Sequence, residues 1–173
     1  MVISAAKGLA LARIAFGLYF LQHAWSKTTA GYLTSGQPLV QFLQQPLAHS
    51  TGFYHDFLVG VVLPHATLFS ILVTLAEWVA GVSLTLGLLT RVGAVTGMWL
   101  TLNYMLMKGP FNSASLIDEL FFVSCLAFLL AGAGLVWGLD GALQDSLGRY
   151  SLVRWLAGSR RAPERRPETA APA

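Results

Sequence analysis

The stretch TLAEWVAGVSLTLGLLTR, residues 74–91, places one acidic residue, Glu77, inside a run of apolar and small residues. Apolar residues flank Glu77 for about three turns on each side, which is the pattern of a helix buried in lipid or protein. The run ends at GLLTR, where a glycine and an arginine indicate that the helix stops and the chain turns in water. The stretch therefore predicts a membrane helix that carries a carboxylate near its middle.

The composition of the whole chain also favours a membrane protein. Of the 173 residues, 55% are hydrophobic and 11% are charged, and the mean hydropathy is +0.61. Soluble domains usually carry about 25% charged residues. The net charge is only +3 and the basic residues form no patch interleaved with aromatics, so nucleic acid is not an expected partner. The single cysteine, Cys125, excludes an intrachain disulfide and a CxxC redox centre.

Four segments are apolar enough to be predicted as membrane spans, at about 20 residues each. They cover residues 8–25, 65–89, 92–107 and 115–137. Arg13 interrupts the first apolar stretch and no small-residue cleavage site follows it, so we do not expect a cleaved signal sequence. The sequence thus predicts an all-α fold, an integral membrane four-helix bundle, within one domain of residues 1–157.

The connection of residues 27–63 is too polar to span and is predicted to lie outside the membrane. PLVQFLQQPLAH, residues 38–49, has apolar residues at helical spacing and predicts an interfacial helix. FYHDFLVGVVL, residues 53–63, predicts a second helix that is kinked or broken at Pro64. Because long loops are usually functional or docked, we expect this connection to cover the bundle or to contact other subunits of a membrane complex.

Two predictions concern the C-terminal part of the chain. GALQDSLGRYSLVRWL, residues 141–156, is interpreted as a helix on the membrane surface with Asp140 as its N-cap. Residues 158–173 contain no large apolar side chain and are predicted to form a disordered, basic cytoplasmic tail.

The distribution of lysine and arginine predicts the orientation in the membrane. Of the 11 such residues, four spans would leave only Lys27 and Lys108 on the side opposite to the termini. This bias predicts cytoplasmic termini, with Arg91 as an anchor on the same side. We therefore expect a multi-pass protein of the bacterial inner membrane, surrounded by lipid, with residues 27–63 facing the periplasm or exterior.

Helical spacing predicts which helix faces carry the polar groups. A carboxylate at the bilayer midplane is costly without a partner, so Glu77 needs a cation or a donor. At similar depth the sequence offers Arg13 and Asn103 as candidate partners. Such a pair either locks the helices together or handles protons or a ligand, and both alternatives are open at this stage. The predicted inward faces are Arg13, Gly17, Phe20, Ala24 and Lys27 in the first span, Ser70, Thr74, Glu77, Gly81 and Thr85 in the second, and Ser115, Asp118, Cys125 and Gly132 in the fourth.

Two histidines allow a further alternative. His23 and His65 both lie towards the outer ends of their spans. A pair of histidines on facing helices can ligate a haem iron. The spacing does not make these two face each other, so haem is the weaker interpretation.

Taken together, these motifs resemble the DoxX/DoxD family of small four-helix membrane proteins. The matching segments lie between about residues 9 and 143 and are LARIAFGLYFLQHAWSK, VVLPHATLFSILVTLAEWVAGVSLTLGLLTRVGA, LNYMLMKG and AGAGLVWGLDGAL. The most specific piece is the block from Glu77 to Arg91 with Gly81 and Gly87 at fixed spacing. The family includes the DoxD-like small subunit of thiosulfate:quinone oxidoreductase, of which this chain has only the DoxD-like part.

The resemblance implies a membrane subunit of a quinone-linked oxidoreductase, of the thiosulfate:quinone type in some members. Arg13, Glu77 and Arg91 correspond to charged positions typical of the family. On this interpretation Glu77 and His23 are the candidate catalytic residues, which exchange the protons of quinone reduction. The candidate cofactor-binding residues are Arg13, Asn103 and Asp118.

The resemblance implies quinone as the cofactor. No cluster of residues in the sequence is typical of a metal, flavin or iron–sulfur site, so a redox cofactor is either quinone or belongs to a partner. Whether the chain is itself an enzyme is open at this stage. The alternative is a non-catalytic accessory subunit of a larger respiratory or photosynthetic membrane complex, since likeness of fold does not by itself imply likeness of function.

Overall fold

The computed structural model describes residues 4–50, 52–111 and 113–143. All regular secondary structure in these ranges is helical, which confirms the all-α prediction. A π-helical turn at Leu58–Val62 continues α3, and a 3-10 turn at Ala133–Leu135 follows α6. The helices are α1 (Ala5–Thr29), α2 (Gln37–His49), α3 (Gly52–Phe57), α4 (Ala66–Leu86), α5 (Thr90–Lys108), α6 (Leu116–Ala131) and α7 (Leu139–Ala142).

The four longest helices, α1, α4, α5 and α6, correspond to the four predicted spans but differ at their ends. α1 continues about one turn beyond the predicted end at residue 25. α4 ends where Gly87 adopts a left-handed conformation, and α6 ends in the same way at Gly132. Glycine adopts this conformation without a steric penalty, and it commonly stops a helix. The fourth helix is therefore shorter than its predicted span, which ended at residue 137.

One described helix is long and apolar enough to cross a membrane by itself. This helix is α4, with a mean hydropathy of 1.7 over its most apolar 18-residue window. The prediction of four spans is thus matched by the number of long helices, while their crossing of the membrane stays a prediction for α1, α5 and α6.

Neighbouring long helices run antiparallel. Gly17 of α1 lies against Thr85 near the end of α4, while Leu21, one turn later in α1, lies against Gly81, one turn earlier in α4. The absence of a side chain at Gly17 and Gly81 lets the two helices approach closely. α4 packs in the same antiparallel way on α5, and α5 on α6. The core between the four helices consists of Phe20, Ala80, Leu84, Ala94, Leu100, Cys125, Phe128 and Ala133.

α2 and α3 pack against α4 and α5 at one end of this bundle, which we call the capped end. The capped end contains the last turns of α1 and α5 and the first turns of α4 and α6. The two helices predicted within residues 27–63 are confirmed, and a turn at residues 63–65 separates them from α4, as expected at Pro64. A second apolar cluster holds them in place, formed by Tyr32, Leu39, Leu43, Tyr54, Leu58, Val62 and Met107.

The C-terminal predictions have different outcomes. Residues 144–173 lie outside the described residues, and with them the tail at 158–173 and most of the surface helix predicted at 141–156. The prediction that Asp140 caps that following helix is wrong. Its carboxylate instead accepts the backbone N–H groups of Leu89 at 2.7 Å and Thr90 at 2.9 Å, and thereby caps α5.

Candidate functional site

Glu77 lies inside the bundle on the buried face of α4. Ser70, Thr74 and Gly81 share this face and are buried, as the helical spacing predicts. Glu77 itself is only 2% exposed. A carboxylate with so little exposure must find cations or donors on the neighbouring helices, because the cost of its desolvation is otherwise not offset.

Two residues on the neighbouring helices supply these contacts. Lys27 of α1 forms an ion pair with Oε1 of Glu77, and it also donates a hydrogen bond of 2.8 Å to Oη of Tyr104 on α5. Tyr104 in turn donates to the same Oε1 of Glu77 at 3.1 Å. The Lys27–Glu77–Tyr104 triad therefore joins three helices by a closed ring of hydrogen bonds.

One acceptor and one donor of the triad take no part in its ring of hydrogen bonds. Oε2 of Glu77 is buried and has no hydrogen-bond partner among the described residues. Lys27 has three N–H groups, of which the triad uses two. A buried oxygen in this state is unusual in proteins and calls for a donor from outside the triad.

The predicted partners of Glu77 were wrong. Arg13 lies about four turns before Lys27 on α1, about 21 Å along the helix axis, and its Nη2 donates to the carbonyl of Trp137 at 2.8 Å. Asn103 lies next to Tyr104 in sequence, but its Oδ1 accepts a 2.9 Å hydrogen bond from Oη of Tyr54. Neither side chain is bonded to Glu77 in the described structure.

The depth assigned to Lys27 caused this error. The first span is predicted to end at residue 25, which places Lys27 outside the span on the side opposite to the termini, whereas α1 continues to Thr29. Side chains on a helix point back towards its N-terminus, and the long lysine chain thus reaches towards the middle of the bundle. The helical stripe through Arg13 and Gly17 already included Lys27. Tyr104 had a weaker signal: it follows Gly97 and Thr101 at helical spacing on α5.

The triad forms part of the wall of a cavity of about 390 Å³ between α1, α4, α5 and α6, which we call the head cavity. On its α5–α6 side, Lys108 donates a 2.7 Å hydrogen bond to Asp118 in a second ion pair. His23 of α1 also lines the head cavity and is exposed, with its ring centroid 4.3 Å from that of Tyr19. The other lining residues are Phe20, Ser26, Ala30, Tyr32, Phe42, Thr101, Ile117 and Phe121.

The structure thus brings together three of the five candidate residues. Glu77, His23 and Asp118 line the head cavity. Asn103 lines a smaller cavity beside it. Arg13 lines neither of these two cavities.

The haem alternative is not supported by the arrangement of the histidines. His65 precedes α4 by one residue, and Nδ1 of its ring lies 2.9 Å from the carbonyl of Val61. It is about 18 Å from Glu77 along the helix, whereas His23 lies on the head cavity beside Glu77. Among the described residues, no group of three His, Cys, Asp or Glu side chains is placed to hold a metal ion.

Arg13 belongs to a second polar cluster at the opposite end of the bundle. Its fully buried guanidinium lies against Gly87 and Gly138. Leu89 and Trp137 both adopt left-handed backbone conformations there, with φ of 48° and 49°. Such conformations are costly for residues other than glycine and need support from their surroundings. That support comes from Arg13 on the Trp137 carbonyl and Asp140 on the Leu89 amide, so this cluster joins α1, α5 and the segment after α6.

Polar side chains near the capped end are also removed from water. Burial raises the pKa of Tyr54 to about 12. Burial, and to a lesser degree the negative charge of Glu77, raises the pKa of Tyr32. The layer under α2 and α3 is therefore dry enough to disfavour a charged phenolate.

In a comparison with protein families, the DoxX family model matches residues 8–109. The chain belongs to the DoxX family. The matched region extends from α1 to the end of α5 and contains all three residues of the triad. Searches of curated proteins and of solved structures returned no match.

Membership of the DoxX family confirms the resemblance seen in the sequence at the level of the family. DoxX proteins are membrane proteins, which agrees with the apolar helix α4. The chain is accordingly a membrane protein of the DoxX/DoxD type.

Proposed function

We propose that this DoxX protein is a membrane subunit of a quinone-linked oxidoreductase and that the head cavity binds the quinone ring. The observation that carries the proposal is Glu77, which lines this cavity and whose buried Oε2 has no hydrogen-bond partner among the described residues. A ligand that both accepts and donates hydrogen bonds fits such a site, because Lys27 supplies a spare donor and Glu77 a spare acceptor.

The size and lining of the head cavity suit a substituted ring. An apolar cavity of about 150 Å³ holds a molecule the size of benzene, and the head cavity is about 390 Å³. Phe20, Phe42 and Phe121 supply aromatic surface for the flat faces of a ring. Polar groups for its oxygen atoms come from the triad on one side and from Lys108 and Asp118 on the other.

The roles of the side chains follow from their burial. A bound quinone supplies the capacity to accept two electrons together with two protons. The Glu77 carboxylate accepts a hydrogen bond from the ligand, and Lys27 offsets its negative charge. Tyr104 keeps Oε1 engaged and so directs Oε2 towards the ligand. His23, which is exposed on the cavity wall, passes protons between water and the cavity.

The membrane topology is proposed along with the function. The outward faces of α1, α4, α5 and α6 carry exposed large apolar side chains, among them Leu18, Leu68, Leu72, Leu75, Val79, Val95, Leu102, Leu120, Val123 and Leu130. Soluble surfaces rarely expose so much contiguous apolar area, whereas lipid favours it. We therefore assign all four helices as spans of the bacterial inner membrane with cytoplasmic termini. Reporter fusions at Gln44 and Arg161 should report opposite compartments; the same compartment for both contradicts this topology.

A partner subunit supplies the electrons to such a site. From the likeness to DoxD, we propose a thiosulfate-oxidising partner. The segment of residues 27–63 is the proposed contact. Phe53 at the start of α3 is 74% exposed, and Phe111 after α5 is 88% exposed. Exposed aromatics of this kind are typical of contact surfaces. The same feature favours the second candidate function, an accessory subunit of a respiratory or photosynthetic complex, in which the chain binds no quinone.

Quinone binding by the purified protein in lipid nanodiscs separates the two functions. We expect saturable binding of a tail-less benzohydroquinone, the reduced form whose hydroxyl groups both donate and accept hydrogen bonds, in equilibrium dialysis under reducing conditions. Glu77→Gln keeps the shape but loses the carboxylate, and hydrogen bonds to charged groups contribute about 1.5–3 kcal/mol. Binding should therefore weaken about 10- to 150-fold. Asp56→Asn is the matched control, because the Asp56 side chain is 85% exposed and lines neither cavity.

Two results contradict the proposal. One is the absence of saturable binding to the wild-type protein, which would favour the accessory function. The other is equal affinity of wild type and Glu77→Gln, which would separate quinone binding from the triad.

A further inference from the structure

We propose that the small apolar cavity beneath α2 and α3, which we call the tail cavity, binds the first isoprenoid unit of a prenylated quinone and thereby selects prenylated over tail-less rings. The inference rests on the proposed function, because it takes the head cavity as the site of the ring. It adds a substrate class and a specificity-determining surface.

The tail cavity has the size and chemistry of a hydrocarbon site. Its volume is about 150 Å³. Apolar cavities of that volume stay dry and take up a six-carbon ring, and an isoprenoid unit contains five carbons. Leu43 of α2, Leu58 and Val62 of the π-helical turn and Met107 of α5 supply buried walls.

Two polar side chains on the tail cavity are bonded to each other. Tyr54 donates to Oδ1 of Asn103 at 2.9 Å, and Nδ2 of Asn103 donates to the carbonyl of Trp99 at 2.6 Å. A hydrocarbon placed against this pair leaves both hydrogen bonds intact, which lowers the cost of desolvation there. This distinguishes the tail cavity from the head cavity, where Oε2 of Glu77 lacks a partner.

The two cavities are neighbours. Lys27, Tyr32, Phe42 and Tyr104 line both of them, so two of the three triad residues lie on their shared wall, while Glu77 lines the head cavity. An amphiphilic ligand with its ring at the triad has the tail cavity next to it. The polar and apolar halves of the combined site match the polar and apolar halves of a prenylated quinone.

The π-helical turn provides positions at which a substitution alters the tail cavity. Such turns are rare and are frequent at functional sites. Leu58 and Val62, four residues apart, face the tail cavity, whereas Val59 between them is 45% exposed. The turn therefore offers a cavity-filling position and an outward control position within one element.

The test compares two reduced probes on the protein in nanodiscs: a tail-less benzohydroquinone and the same ring with one isoprenoid unit. We expect the prenylated probe to bind wild type at least about tenfold more tightly, from the burial of its five carbons. Leu58→Phe fills the tail cavity and should remove this preference while the tail-less probe keeps its wild-type affinity. Val59→Phe adds the same ring on the outside and should leave both affinities unchanged, which also controls for partition of the probe into lipid.

The outcomes separate this inference from the proposed function. If the tail-less probe binds and depends on Glu77, but the isoprenoid unit adds no affinity, the ring site stands and the tail site is wrong; a phospholipid chain in the tail cavity would give this result. If Leu58→Phe weakens both probes equally, the cavity serves packing only and the inference fails. If neither probe binds wild type, both proposals fail. Should Leu58→Phe not accumulate, Leu43→Phe fills the same cavity from α2 and is compared with Val59→Phe in the same way.

Discussion

Replacing Lys27 by methionine removes the cation of the triad but keeps a side chain of similar length. The side chains of Lys27 and Glu77 are only 16% and 3% exposed, so the pair is largely desolvated. Removing one partner of a buried ion pair leaves the other charge uncompensated and costs about 3–5 kcal/mol. We expect Lys27→Met to lower the free energy of unfolding by that amount.

The double variant Lys27→Met/Glu77→Gln makes the prediction specific. It contains no unpaired buried charge, and Tyr104 still has a side-chain oxygen to bond. Replacing both members of a buried pair is often close to neutral. The double variant should therefore be more stable than Lys27→Met alone, with a coupling energy between the two substitutions of about 1–3 kcal/mol.

Unfolding of the protein in mixed detergent micelles, followed by tryptophan fluorescence, measures these differences. Lys7→Met is the matched control on the same helix. Lys7 is exposed, and its Nζ lies 5.8 Å from the ring centroid of Trp137, a contact that contributes about 0.5–1 kcal/mol at an exposed site. The reasoning is refuted if Lys27→Met is no more destabilising than Lys7→Met, or if the two triad substitutions are additive within about 0.5 kcal/mol.

Three further predictions test other parts of the structure. Asp140→Ala should destabilise the protein by at least about 2 kcal/mol because two backbone amides at the start of α5, one part-buried and one buried, lose their acceptor. Asp140→Asn keeps one acceptor and should cost less, and equal stability of Asp140→Ala and wild type in thermal unfolding would contradict the capping role. Gly17→Ala should destabilise by about 1–3 kcal/mol because its Cβ would collide with the backbone of Thr85, whereas Gly8→Ala on the same helix has open space and should stabilise by up to about 1 kcal/mol. Tyr54 should ionise near pH 12, seen as the difference in tyrosinate absorbance between wild type and Tyr54→Phe; because its pKa is higher in the folded than in the unfolded chain, the stability that it contributes is present below about pH 10 and is lost between about pH 10 and 12, and ionisation near pH 10 would show that the capped end is wet.

The sequence alone was sufficient for the helices and their inward faces. Small and polar residues recur at helical spacing along α1 and α4, and a residue's direction on a helix depends only on its position along the same helix. Ser70, Thr74 and Glu77 are accordingly buried, as predicted. The family was also within reach of the sequence, because the block from Glu77 to Arg91 is a local pattern.

The partners of the buried charges were decided only by the tertiary structure. A helix end that is misplaced by four residues shifts a side chain by about 6 Å, which exceeds the length of a hydrogen bond, so depth estimates paired Glu77 with Arg13 rather than with Lys27. The capping of α5 by Asp140 and the bond from Arg13 to the carbonyl of Trp137 join segments that are 50 and 124 residues apart in the chain. Spacing within one helix carries no information about such contacts, because they depend on how separate helices and their closing loops pack in three dimensions.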